Sequence, residues 1–251
     1  MGCILKKYNQ CDKLLGKIKI GAVSNLILAG LIFSVGAFAL APLDDATQTD
    51  AATVQIYRSV ENSNAVSLMF NVYWGTEEVY RILDILKENG AVATFFIGGC
   101  WADDNVQCLR DIATAGHEIG NHGYFHKDHA RLSATDNEKE ISQCNRFIEL
   151  SIGKTPTLFA PPSGAYGETM LSVCQAMNMK TILWSRDTID WRDKDKKLIY
   201  KRATKDIQGG EFVLMHPMTA TVEALGDILK YYQTQGLTTA TVSENIEKTQ
   251  G

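Results

Sequence analysis

The sequence predicts an α/β domain on a parallel sheet, open or closed into a barrel, behind a long apolar segment near the N-terminus. Three observations predict it. From residue 65 onward short apolar runs alternate with longer amphipathic ones; glycines stand just past the ends of several amphipathic runs; and each polar, chemistry-bearing motif follows a short apolar run.

At 251 residues the chain is long enough for one large domain with a real core. It begins with Lys6, Lys7, Lys13, Lys17 and Lys19 against a single acid, Asp12, and residues 20–43 then carry no charge. At about 1.5 Å per residue such a run reaches about 36 Å, more than the ~30 Å of a bilayer's hydrocarbon. Residues 1–19 are therefore expected as a cytoplasmic basic tail and 20–43 as a transmembrane anchor, which makes a single-pass cell-membrane protein with its C-terminal domain outside. Small-residue triplets, Ala37-Phe38-Ala39 and Ala39-Leu40-Ala41, keep a cleaved signal and a secreted product open as the alternative. Lys6 breaks the myristoylation pattern that Gly2 would start.

Residues 44–251 carry 20 basic and 28 acidic side chains. Such a domain lacks the basic field that nucleic-acid binding by bulk charge requires, so no nucleic-acid partner is expected. Cys100, Cys108, Cys144 and Cys174 lie in that part and show no Cys-x-x-Cys spacing. They are expected as buried free thiols, with a Cys100–Cys108 pairing as the alternative.

The elements follow in order. Residues 44–64 are polar and without apolar periodicity, which suits a linker, and 65–251 are expected as the folded domain. Residues 66–70, 93–97, 118–120, 157–160, 181–184, 212–215 and 239–242 read as strands; 77–88, 106–115, 135–150, 168–177, 198–207 and 222–235 read as helices. Gly90, Gly116 and Gly236 fall where a left-handed residue ends a helix.

Five polar segments sit just after predicted strands: 71–75, 121–126, 160–164, 187–191 and His216. In parallel α/β folds that edge of the sheet is where sites are built. His122 and His126 are four apart, so one helical turn would put both on one face to grip a metal ion, with His129 near enough to assist. Trp74 and Trp191 abut these motifs, whereas Trp184 reads as core and Trp101 as cover for a loop. Pro161-Pro162-Ser163-Gly164 reads as a rigid loop in which Gly164 is free to take a positive φ.

The stretches Ala93-Thr94-Phe95-Phe96, Gly116-His117-Glu118-Ile119-Gly120-Asn121-His122, Phe159-Ala160-Pro161-Pro162-Ser163-Gly164, Asp187-Thr188-Ile189-Asp190-Trp191 and Leu214-Met215-His216 resemble, in order and spacing, the polysaccharide deacetylase family, the NodB-homology carbohydrate esterases. The sporulation-associated, membrane-anchored branch is the most similar. The resemblance implies a distorted (β/α)7 barrel that removes acetyl groups from the N-acetylated sugars of peptidoglycan or chitin-like polymers, with cell-wall glycan as partner. It implies His122 and His126 as metal ligands, with zinc the usual divalent ion. It further implies Asp190 and Trp191 as a groove-lining pair and His216 as a general acid oriented by the motif's aspartate. Leu214 would form part of the acetate pocket, and Trp74, Tyr166 and Pro162 would join Trp191 in binding substrate.

The chain departs from the family where its two aspartates should follow the first strand. The segment reads Phe70-Asn71-Val72-Tyr73-Trp74-Gly75, and no acid lies between Glu61 and Glu77. The base position falls on Asn71 or Tyr73 and the ligand position on Tyr73 or Trp74. Asn71 can offer a carbonyl oxygen to a hard ion but cannot accept a proton as a base. The arginine that pairs with the family's catalytic aspartate is Ala160 here. The two losses are consistent, because a buried arginine without its acid would cost several kcal/mol.

Three readings stay open. The chain is a deacetylase whose base is Glu77, Glu78 or the substrate itself; or an inactive glycan-binding protein that stacks sugars on Trp74, Tyr124, Tyr166 and Trp191; or a protein in which His122, His126 and Asp190 form a purely structural network.

Overall fold

A computed structural model describes residues 55–248. The expected tail, the apolar segment 20–43 and most of the linker lie outside the described residues. Among those residues no helix is long and apolar enough to cross a membrane.

The sheet is organised on β2 (Ala65–Val72), an eight-residue strand buried along its whole length. It pairs in parallel with β3 (Thr94–Ile97) on one side and β8 (Phe212–Met215) on the other. Outward from β3 follow β4 (Glu118–Asn121), β5 (Leu158–Phe159), β6 (Lys180–Ile182) and β1 (Ile56–Tyr57); outward from β8 lies β7 (Arg186–Asp187). A further strand, β9 (Thr238–Thr239), pairs with the start of β2. The result is a curled, parallel half-barrel.

The expected distorted (β/α)7 barrel is thus realised as a half-barrel with an interruption. The segment 56–60 spans it: β1 pairs with β6, Ser59 bridges antiparallel to Glu211, and the Val60 N–H donates to the Gly210 carbonyl at 2.9 Å. This segment reads as linker in the sequence because its pairing is made by backbone groups, which leave no apolar alternation behind.

The period of two along β2 sorts its side chains between two cores. Val66, Leu68, Phe70 and Val72 face the helix layer, where they join Ile82, Leu86, Leu225 and Ile228. Met69 faces the interior of the half-barrel with Phe96, Leu158, Ile182 and Phe212. Asn71 shares the parity of Met69, which puts a polar side chain at the mouth of that interior.

Helices α1 (Thr76–Glu88), α2 (Gly99–Asp104), α3 (Val106–Thr114), α4 (Ala134–Ile152), α5 (Glu168–Ala176), α6 (Asp190–Asp193), α7 (Lys196–Thr204), α8 (Thr219–Thr234) and α9 (Val242–Glu247) fill the connections. In α1 the buried Val79, Ile82, Leu83 and Leu86 form one stripe, Glu77 and Glu78 sit in the first turn and Lys87 in the last. Gly90, Gly116 and Gly236 all take positive φ, as their positions predict.

The expected strand at 239–242 is corrected: only Thr238–Thr239 is extended, and Thr241 opens α9 with a reciprocal Thr241/Glu244 capping box. All four cysteines among the described residues are free thiols. Burial pushes Cys108 and Cys174 up to about 11 and Cys144 up to about 12, so they stay protonated and act as small apolar residues.

Candidate active site

At the C-terminal edge of the strands lies a cavity of about 340 Å³, lined by Asn71, Trp74, His122, His126, Ser163, Trp184, Asp187, Trp191, Leu214 and His216. That size is near the lower end of the ~300–1,000 Å³ usual for small-ligand sites. Eight of the ten sequence-predicted site residues converge here or directly behind it. Tyr166 and Pro162 do not line the cavity: Tyr166 stands outside it beneath the Arg58 guanidinium, and Pro162 is buried.

The histidine loop is built differently from the helical turn expected. It runs from the end of β4 without helix, and Gly123 and His126 both take positive φ, at 74° and 53°. Two side chains hold this shape. Asn121 Oδ1 accepts the Gly123 N–H at 2.7 Å, and the buried Glu140 carboxylate accepts the N–H groups of Tyr124 and Phe125 while pairing with Lys127 at 2.9 Å. The loop still brings the His122 and His126 rings together, their centroids 5.1 Å apart.

His122 Nδ1 lies 2.7 Å from the Ala160 carbonyl oxygen. A carbonyl can only accept, so Nδ1 carries the proton and Nε2 is left with its lone pair. Burial, with His126 beside it, brings His122 down to about 3 and keeps the ring neutral. Burial lowers His126 as well. His129 does not assist them: it is wholly buried, with Nδ1 donating to Asn137 Oδ1 at 2.7 Å.

The opposite wall holds a proton-donor arrangement. Asp190 Oδ1 lies 2.8 Å from His216 Nδ1, and its Oδ2 accepts the His216 N–H at 2.6 Å and the Thr221 hydroxyl at 2.6 Å. Asp190 is fully buried, so it fixes the imidazole while His216 meets the cavity. Trp74 stacks on His216 at 5.7 Å with planes 3° apart, and its indole N–H points at the Met218 sulfur at 3.3 Å.

The segment that should carry two acids is Asn71 to Gly75. The Asn71 Oδ1 atom is buried in the cavity wall without a hydrogen-bond partner. Tyr73 leans on His126 at 4.9 Å, and burial, then the nearby Cys100, raises its phenol so that it stays protonated. Glu77 and Glu78 do not line the cavity; Glu78 instead accepts the Thr219 hydroxyl at 3.1 Å. Three further residues line the wall. Asp187 and Ser163 lie inside the motifs, where their residue types alone give no role, and Trp184, whose apolar neighbours in sequence suggest core, lies just past β6 on the same rim as the other motifs.

For the metal that the resemblance implies, the donors are therefore two neutral imidazoles and one amide oxygen. Among the described residues no group of three or more His, Cys, Asp or Glu side chains is placed to hold an ion. Asp187, the carboxylate that lines the cavity, is not grouped with the two histidines, so no charged ligand offsets an ion held by them and a resident catalytic metal does not fit this donor set.

A curled parallel sheet with this rim of motifs defines a polysaccharide deacetylase fold, and the polysaccharide deacetylase family model matches residues 58–182. The chain belongs to that family. It is 35% identical over 194 residues to the uncharacterised protein YlxY of Bacillus subtilis, covering 77% of this chain and 61% of that one. It is 31% identical to a peptidoglycan-N-acetylglucosamine deacetylase of Bacillus cereus, covering 73% of this chain and 88% of the relative. Among solved structures, a CE4 family pseudoenzyme from Bacillus anthracis superposes with a TM-score of 0.75 at 33% identity, covering 78% of this chain and 70% of that one. A mutant of that pseudoenzyme with restored enzymatic activity superposes equally well, at 0.75. The chain spans about 61% of YlxY and 64% of the B. subtilis N-acetylmuramic acid deacetylase PdaA, less than two thirds of either.

Proposed function

We propose that this protein is a hydrolytically silent member of the family that binds cell-wall glycan outside the cytoplasm, with residues 20–43 as its membrane anchor. One observation carries the reading: the buried amide of Asn71 stands in the cavity where a base is required, and no acid replaces it. Amide hydrolysis by this fold's chemistry needs a group to take the proton of the attacking water and another to protonate the leaving nitrogen. The second survives as His216 on Asp190; the first does not. Asp187, the acid in the cavity wall, belongs to β7, two strands away from β2, and turns Oδ1 to the Ile189 N–H at 2.8 Å, so it does not occupy the position of the base.

What remains suits binding. Trp74 and Trp191 are 41% and 49% exposed at the rim, large aromatic faces of the kind that stack on sugar rings. Leu214 and Trp184 supply an apolar floor.

The test is acetate release from peptidoglycan and from chitooligosaccharides, with zinc, cobalt or manganese supplied, alongside pull-down on insoluble peptidoglycan. No acetate with any metal, together with retention that weakens at least about tenfold in Trp191→Ala, is the expected outcome. Acetate release that disappears in His216→Ala would overturn it in favour of an active deacetylase.

A further inference from the structure

The cavity wall is rich in acceptors and poor in charge complement. Asn71 is only 4% exposed and its Oδ1 has no donor. His122 presents the lone pair of Nε2, because Nδ1 is committed to the Ala160 carbonyl. Asp187 adds a carboxylate; no lysine or arginine lines this cavity, and the cations near Asp187, which are Arg192 and those of the adjoining groove (Arg186, Lys201, Arg202 and Lys205), lie outside its lining. Trp74 and Trp191 add aromatic faces, which attract cations.

An unsatisfied buried acceptor costs free energy unless a ligand brings a donor. An acetamide brings one N–H and also a carbonyl oxygen, and with no metal in the cavity that oxygen loses its natural partner. An alkylammonium brings three N–H donors and a positive charge, which matches both the acceptors and the carboxylate that faces the cavity.

We propose that the cavity recognises the free 2-ammonium group of a deacetylated hexosamine within a glycan strand, in preference to the N-acetylated sugar. The proposal rests on the glycan-binding reading and sharpens it: a fold that elsewhere removes acetyl groups here retains strands from which they have already been removed. Asn71 and His122 accept two of the ammonium protons, Asp187 supplies the countercharge, and Trp191 stacks on the ring.

The experiment is isothermal titration of the full-length protein with the tetramer of glucosamine and the tetramer of N-acetylglucosamine, each with and without EDTA in the buffer. The expected result is that the glucosamine tetramer binds at least about tenfold more tightly. In Asp187→Asn and in Asn71→Leu that preference falls to within about twofold, while circular dichroism shows both variants folded. Preference for the acetylated tetramer overturns the proposal, and so does loss of binding on adding EDTA, which would assign the acceptors to a metal ion. A glucosamine preference that survives both substitutions also overturns it, since attraction to the acidic surface would then suffice. If neither tetramer binds and insoluble peptidoglycan is not retained, the glycan-binding reading itself fails; retention of peptidoglycan with a preference for the acetylated tetramer removes only the ammonium assignment.

Discussion

Asn71 decides more of this protein's chemistry than any other side chain. It keeps the volume and acceptor oxygen of an aspartate but gives up the charge, and with it both proton abstraction and compensation for a metal. Asn71→Asp should therefore act in two opposite ways. In metal-free buffer it places an unpaired carboxylate in a buried wall and should lower stability by about 1–3 kcal/mol. Added zinc should recover that loss through binding linkage, whereas the wild-type melting temperature should not respond to micromolar zinc. Differential scanning fluorimetry of both proteins with and without zinc checks this; a wild-type shift as large as the variant's would show that the amide and two imidazoles already hold an ion. The departure at Asn71 was legible in the sequence, because no acid lies between Glu61 and Glu77. That its oxygen ends up buried and unpaired was not, since this depends on what β3, β8 and the histidine loop bring around it.

At the scale of elements, periodicity told most and loop geometry least. The stripe of Val79, Ile82, Leu83 and Leu86 announced α1, while the turn imagined for His122 to His126 is a loop. The spacing of four was suggestive of a helix only by coincidence: two left-handed residues and two side-chain clamps produce the same approach of rings. Glu140→Ala should test the stronger clamp. It strands two N–H groups and Lys127, so stability should fall by about 2–4 kcal/mol, with Glu140→Gln recovering part of it, as read from urea midpoints. Gly75 is the second control point. It caps α1 at φ 76°, and a Cβ there would lie 2.4 Å from the Pro217 carbonyl oxygen. Gly75→Ala should cost at least about 1–2 kcal/mol and separate Trp74 from His216, seen as altered tryptophan fluorescence. Unchanged emission and stability would mean that the two loops are not coupled there.

For the whole molecule, the histidines set the response to acid. Burial lowers His117, His122, His126 and His129 below the ordinary value of 6.5, His122 to about 3. The unfolded chain therefore binds more protons than the folded one between these values. Stability should be full above about pH 6.5 and decline as the pH falls toward 3. Urea midpoints measured from pH 8 to pH 4 should fall steadily below 6.5, and a flat profile to pH 4 would contradict neutral, buried rings. Three of these histidines belong to one rim and its support, so acid should loosen the site along with the fold.

By itself the sequence determined the α/β class, the main helices and their caps, the family, and the loss of the catalytic acids, because each is written in local periodicity, glycine placement or the identity of residues at motif positions. Only the tertiary structure decided that segment 56–60 spans the half-barrel, that Trp184 and Asp187 belong to the cavity while Tyr166 does not, that Glu77 and Glu78 do not stand in for the missing base, and that Asn71 is left as a buried acceptor without a donor while His122 turns its free lone pair to the cavity. Those facts depend on which distant strands meet at one rim, and contacts between residues far apart in the chain leave no periodic trace in it.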